Sequence, residues 1–197
     1  MKNTSKDNNG ISYIFSRGLF VILIGLIFDL TAFPSLLIKS NFWAILFSIL
    51  IMLPFLYVIF IIGKITGEHC FKAIRKNSLK IQQGETVTRS QRFLEYHWAK
   101  GFLFCALYPL WQIILLVLGI ILKNSILTGI VNLYNMSFMS ILSVAGLYKP
   151  GADLFDLLFL IIILIVPIIF EAGYIIAAEK LKRQHREIAQ EIKLFNS

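Results

Sequence analysis

Charge is scarce in this sequence: 15% of its 197 residues are Asp, Glu, Lys or Arg, where a soluble domain carries about 25%. Acidic side chains are the scarcer sign, 11 against 19 basic, giving a formal charge of +8. Cysteine is limited to Cys70 and Cys105, with no CxxC spacing, which excludes a disulfide framework and a cysteine-rich zinc site. HExxH, GxSxG, P-loop and GxGxxG arrangements are all missing, and no serine has an evident His/Asp pairing. A hydrolase, nucleotide-dependent or dinucleotide-dependent enzyme therefore has nothing to stand on. His69 beside Cys70, with His97 farther along, matches no ligand spacing, so neither a metal nor another cofactor is expected. A cleavable secretory signal is also lacking. The first apolar run follows Arg17, exceeds an h-region, carries Asp29, and ends in Phe33-Pro34-Ser35 without an A-x-A site, so it reads as retained.

What the chain has in quantity is apolar surface. Hydrophobic residues make up 57% of it and mean hydropathy is +0.76, gathered in runs of about 20 residues, the length that crosses a bilayer as helix. Lipid is the solvent for much of such a chain. The first span reads from Gly18 to Ile38; Asp29 near its centre costs roughly 3 kcal/mol, which its 14 Leu, Ile, Val and Phe residues outweigh. Lys39-Ser40-Asn41 forms a turn, and a second span covers Phe42 to Gly63 with Trp43 as an interfacial anchor. A third covers Gly101 to Leu122 and a last one Leu154 to Ala178, with Asp153 and Asp156 at its outer end.

Between the second and third spans lies a basic stretch, residues 64–100, with eight Lys/Arg against three acids. Gln83-Gly84-Glu85 is the expected break within it. Thr88-Arg89-Ser90-Gln91 then fits a capping box, opening an amphipathic membrane-surface helix that runs into the third span. The C-terminal stretch continues the last helix, with Leu181, His185, Ile188, Ile192 and Phe195 at heptad spacing for about two heptads. Two heptads are too few for a stable coiled coil alone. The stretch reads as a basic amphipathic helix on anionic headgroups, or as a partner or self-association helix.

Residues 126–148 form a 23-residue uncharged amphipathic segment that either lies at the outer surface, re-enters or crosses. Charge decides. With four spans, 16 of the 19 basic residues face the cytoplasm and only Lys39, Lys123 and Lys149 lie outside. Were 126–148 to cross, the five basic residues of the tail would be exported. The sequence thus predicts an all-α fold, a polytopic transmembrane helical bundle of four spans, N-in and C-in, with five spans as the alternative. Its parts are a cytoplasmic tail (1–17), a first hairpin (18–63), the basic cytoplasmic loop (64–100), a second hairpin (101–178) carrying the external segment 126–148, and a basic helical tail (179–197).

At about 1.5 Å per residue, Asp29 and Gln112 lie roughly 16 Å from the cytoplasmic end of their spans, Pro54 and Pro167 near 14 to 15 Å, Pro109 near 12 Å and Glu171 near 9 Å. Each proline frees a carbonyl four residues earlier and kinks its helix. Carbonyls, Gln112 and two carboxyls at similar depth describe a small polar or ion site. The quieter reading is a protonated carboxyl that donates a hydrogen bond to a neighbour. Gly173 and Ala177 form a small-xxx-small pair for close helix packing, and Asn135-Met136-Ser137 fits a glycosylation sequon.

Basic residues that flank apolar runs mark membrane orientation and anionic lipid contact instead of nucleic-acid binding. The expected partners are the bilayer, its anionic headgroups, and a second copy or a membrane-complex subunit. Ile-, Lys- and Asn-rich usage fits an AT-rich bacterial genome and hence a bacterial cytoplasmic membrane. Two function classes follow: a non-enzymatic accessory or interaction subunit of a membrane complex, and a small proton- or cation-coupled transporter or channel subunit that uses Asp29, Gln112 and Glu171.

Overall fold

A computed structural model describes residues 10–136, 138, 141 and 158–195, and every regular element among them is helical. The polar tail 1–9, the Lys149-Pro150-Gly151 stop, Asp153, Asp156 and most of 137–157 lie outside the described residues. Helix α1 (Gly10–Ala32) ends where Pro34 cannot donate a backbone hydrogen bond, and the chain turns through a short 3-10 segment, Phe33–Leu37. Helix α2 (Asn41–Gln82) is 42 residues long, about 63 Å. It therefore continues well past Gly63 into the stretch read as a loop.

Helix α2 stops at the expected break. Gly84 takes φ +78°, its N–H donates to Ile81 O at 3.0 Å and that of Glu85 to Lys80 O at 2.9 Å. These paired bonds satisfy the last carbonyls as a Schellman motif does. Thr88 and Gln91 then form the reciprocal capping box, but the helix they open, α3 (Arg89–Phe93), lasts five residues and does not run into the third span. Tertiary bonds overrule it. Tyr96 N donates to Cys70 O at 3.1 Å, and the Lys100 ammonium donates to Phe93 O and Glu95 O, each at 2.8 Å. Residues 94–99 are thereby folded back onto α2.

The third apolar stretch is α4 (Lys100–Cys105) followed by α5 (Leu107–Ile121), interrupted at Ala106, three residues before Pro109. No such break occurs at Pro54 in α2 or at Pro167 in the last helix. After α5 a tight corner forms, with Lys123 at φ 50° and Asn124 accepting from Ile126 N at 2.9 Å, opening α6 (Ser125–Leu133). The last helix, α7 (Leu158–Phe195), runs unbroken through apolar span and basic tail.

The most extensive pairing is α2 with α7, and the two helices run parallel. Gly63 lies on Phe170 and Gly67 on Tyr174, while Gly173 lies on Phe60. At each glycine an added Cβ would overlap a backbone carbonyl of the opposite helix. Helix α1 runs antiparallel to α2, with Phe28 against Phe55 and Tyr13 against His69. Its course beside α4 and α5 is parallel, with Tyr13 against Phe104 and Gly25 against Tyr108.

Polarity is distributed inside out. Gly18, Val21, Gly25, Asp29 and Ala32 line the buried stripe of α1, while Leu19, Leu23, Ile27 and Leu30 are exposed. Leu46, Leu50, Leu53 and Tyr57 repeat the exposed stripe on α2, as do Leu110, Ile114, Val117 and Ile121 on α5. Contiguous apolar stripes of this extent are foreign to a water-facing surface and suit hydrocarbon. The segments Ser12–Ser35, Asn41–Gln82 and Ile162–Arg186 are long and apolar enough to cross a membrane, and Leu107–Ile121 is a shorter apolar helix. The molecule is a helical bundle compatible with a membrane setting. Helix α6, nine residues or about 14 Å, is too short to cross alone. It turns Ile126, Ile130 and Leu133 outward and buries Val131 and the following Asn135.

Candidate functional site

Polar side chains inside the bundle form two layers. In the first, Gln112 is fully buried; its Nε2 donates to Tyr108 O at 3.3 Å and its Oε1 accepts from Asn135 Nδ2 at 2.8 Å. Asn135 Nδ2 also donates to Val131 O at 2.8 Å. Tyr108, buried among them, packs on Gly25, one helical turn before Asp29, itself 2% exposed. Asp29 and Gln112 therefore share a neighbourhood through Tyr108.

Glu171 belongs to the second layer. Its carboxyl rests on Gly101, where a Cβ would overlap Oε2, and faces the Phe102 amide at the start of the third apolar stretch. Neither oxygen completes a hydrogen bond of full geometry. Gly101 and Gln112 are 11 residues apart on that stretch, roughly 16 Å along the axis. The three residues singled out in the sequence are thus two near one another and one apart. Pro109 lies beside Tyr108, half-buried; Pro54 is exposed and Pro167 buried within their helices.

Sequence reasoning missed the roles of Asn135, Gly101 and the pair Gly63 and Gly67. The last had a signal, since Gly63-Lys64-Ile65-Thr66-Gly67 is a GxxxG pattern; Lys64 and Glu68 drew it into the basic loop. Asn135 read as a sequon residue, yet it is 1% exposed and its Nδ2 is committed to Gln112 and Val131.

Beyond the apolar belt, at the Lys64 end, α2 and α7 continue side by side as a basic stalk. Phe71 stacks on His185 at 5.7 Å, and a groove of about 520 Å³ beside them is edged by Arg75, Lys182 and Arg186. On another face of α2, His69, Lys72, Lys76 and Lys80 line a cavity of about 180 Å³ closed on its far side by Gln91 and Leu94. Buried Asn77 holds that wall, donating to Gln91 O at 3.1 Å and to Glu95 Oε1 at 2.9 Å. His69 stacks on Tyr13 at 5.2 Å. Burial first, then the charges of Arg17, Lys72 and Lys76, hold its imidazole below the usual range. Burial pushes the Cys70 thiol up to about 11, which makes it a poor nucleophile. Among the described residues no group of three or more His, Cys, Asp or Glu stands together to hold a metal ion.

Comparison of the chain with protein-family models, curated proteins and solved structures finds no match.

Proposed function

We propose that the protein is a non-enzymatic accessory or interaction subunit of a membrane complex, a bundle of four spans with both termini in the cytoplasm. The carrying observation is the stalk: α2 and α7 stay helical and paired beyond their apolar segments, and the surface they carry out of the lipid is basic. A helix pair fixed by glycine contacts holds its exposed side chains at set positions, which lowers the ordering cost of docking a partner. Four spans are supported by the parallel course of α2 and α7, since a fifth crossing between α5 and α7 would make them antiparallel. The positive-inside bias then assigns the stalk to the cytoplasm.

A second reading, a proton- or cation-coupled transporter or channel subunit, rests on one specific observation. Both Glu171 oxygens are buried without a completed hydrogen bond, and intramembrane carboxyls of that kind commonly handle ions. Against it, Glu171 packs on the Gly101 backbone as a wedge between helices, and Asp29 belongs to a different layer.

Reconstitution separates the two. Proton and cation flux is measured in liposomes for the wild type, Asp29→Asn and Glu171→Gln, with folding followed by circular dichroism. Absence of flux from a folded wild type supports the accessory role; flux abolished in both folded variants overturns it. A reporter fused after Ser197 is expected in the cytoplasm, and an external readout overturns the four-span orientation.

A further inference from the structure

We propose that the cavity between α2 and α3 is a binding site for a phosphate group, held by the ammonium groups of Lys72, Lys76 and Lys80 with His69 at its membrane-side lip. The three lysines recur every four residues, so they share one face of α2 at about 6 Å intervals. None lies within salt-bridge distance of a carboxylate among the described residues. The nearby Glu95 carboxylate is turned to Asn77 instead.

The cavity is also built to persist. Asn77 ties its far wall to its floor through Gln91 and Glu95. Tyr96 N on Cys70 O, at 3.1 Å, and Lys100 on the Phe93 and Glu95 carbonyls anchor the same wall a few residues later. These bonds occupy the neighbouring amides and Lys100, and leave the three lysines to face the cavity. The cavity of about 180 Å³ has room for one phosphate group.

Ligand charge follows from the cation count. A carboxylate brings one charge for three ammoniums, whereas a phosphomonoester brings nearly two and three strong acceptor oxygens at neutral pH. Its source can be lipid or water. His69 lies about 8 Å past Lys64 and Lys80 about 24 Å, while the headgroup layer is only some 5 to 8 Å deep. One lip thus sits near headgroup depth and the other in the aqueous phase, which serves a lipid phosphomonoester and a soluble phosphate alike. The site uses the stalk's orientation but no protein partner and no intramembrane carboxyl.

The test uses the full chain in phosphatidylcholine nanodiscs. Inorganic phosphate is titrated at constant ionic strength and binding is read from phosphorus-31 relaxation. Two triple variants remove equal charge: Lys72→Gln with Lys76→Gln and Lys80→Gln, and Arg75→Gln with Lys182→Gln and Arg186→Gln. Saturable binding by the wild type is expected, weakened about tenfold or more by the first triple and less than about twofold by the second. If the first triple fails to fold, Lys76→Gln alone carries the comparison, with a loss of about threefold expected. Phosphatidic acid doped into the disc displaces phosphate if a lipid headgroup is the ligand and leaves it bound if the ligand is soluble; either result keeps the site. Non-saturable binding by the wild type, or equal weakening by both triples, overturns it. Failure of the stalk to recruit a protein, or flux through the bundle, leaves this titration unchanged.

Discussion

Gly63 of α2 lies against the carbonyl oxygen of Phe170 in α7, with no room for a methyl group between them. Backbone meets backbone there, so neither side can move aside as a flexible side chain would. Gly63→Ala is expected to destabilise the bundle by about 1–3 kcal/mol, read as a lower midpoint in denaturing-detergent titration. Gly129→Ala on α6, with open space around its Cα, is the matched control; it should be neutral or gain up to about 1 kcal/mol from helix propensity. Equal midpoints for Gly63→Ala and wild type would mean that the helix pair does not close as described.

The bond between Asn135 and Gln112, 2.8 Å and fully buried, joins α5 to the segment after α6. A double-mutant cycle with Gln112→Leu and Asn135→Leu should return a coupling of about 0.6 kcal/mol and at most roughly 1.7, the range of hydrogen bonds between membrane helices. Additive losses would show the two side chains to be independent.

From α2, the Asn77 side chain pins α3 and the stretch after it with two bonds, to Gln91 O and Glu95 Oε1. Asn77→Ala leaves the Glu95 acceptor unmet and should cost about 1–3 kcal/mol locally. Hydrogen exchange is expected to quicken across 89–96 while 107–121 keeps its protection. Uniform acceleration of both regions would point to global destabilisation instead.

For His69 the sign of the pH effect follows from a folded-state pKa lowered from 6.5 by burial and by Arg17, Lys72 and Lys76. The unfolded chain takes up the proton first as pH falls. Stability is therefore unaffected well above 6.5 and declines as pH drops through that value toward the lower folded-state pKa. His69→Gln removes this share of the slope. Thermal midpoints of the two proteins between about pH 5 and 8 should converge in acid and hold a constant offset above neutrality.

Much of the architecture was legible because hydrophobic length and caps are local signals. The Gly84 stop and the Thr88 capping box needed no tertiary knowledge, and both are found where the sequence predicts them. The early end of α3 was not legible. Its cause combines Lys100 capping the Phe93 and Glu95 carbonyls with bonds to Cys70 and Asn77, 14 or more residues away, whose partners the local pattern does not show. Depth counting along straight helices put Asp29 and Gln112 at one level; Tyr108 packs on Gly25, one turn before Asp29, and its carbonyl accepts from Gln112. It could not tell which side of its helix Glu171 would present, nor that a glycine would let its carboxyl rest against main chain. For α6 the inward side is the one with Thr128 and Val131, and Asn135 just beyond the helix is buried as well, while Ile126, Ile130 and Leu133 are exposed.

The continuity of α2 past Gly63 has a mechanical consequence. Nineteen residues beyond that glycine make a lever of about 28 Å, so under the proposed four-span arrangement a tilt of about ten degrees in the apolar half, of the kind a change in bilayer thickness imposes, sweeps its tip by about 5 Å. Movement in the plane of the lipid thereby becomes displacement of a charged surface in water, with the α7 rod carried along in step.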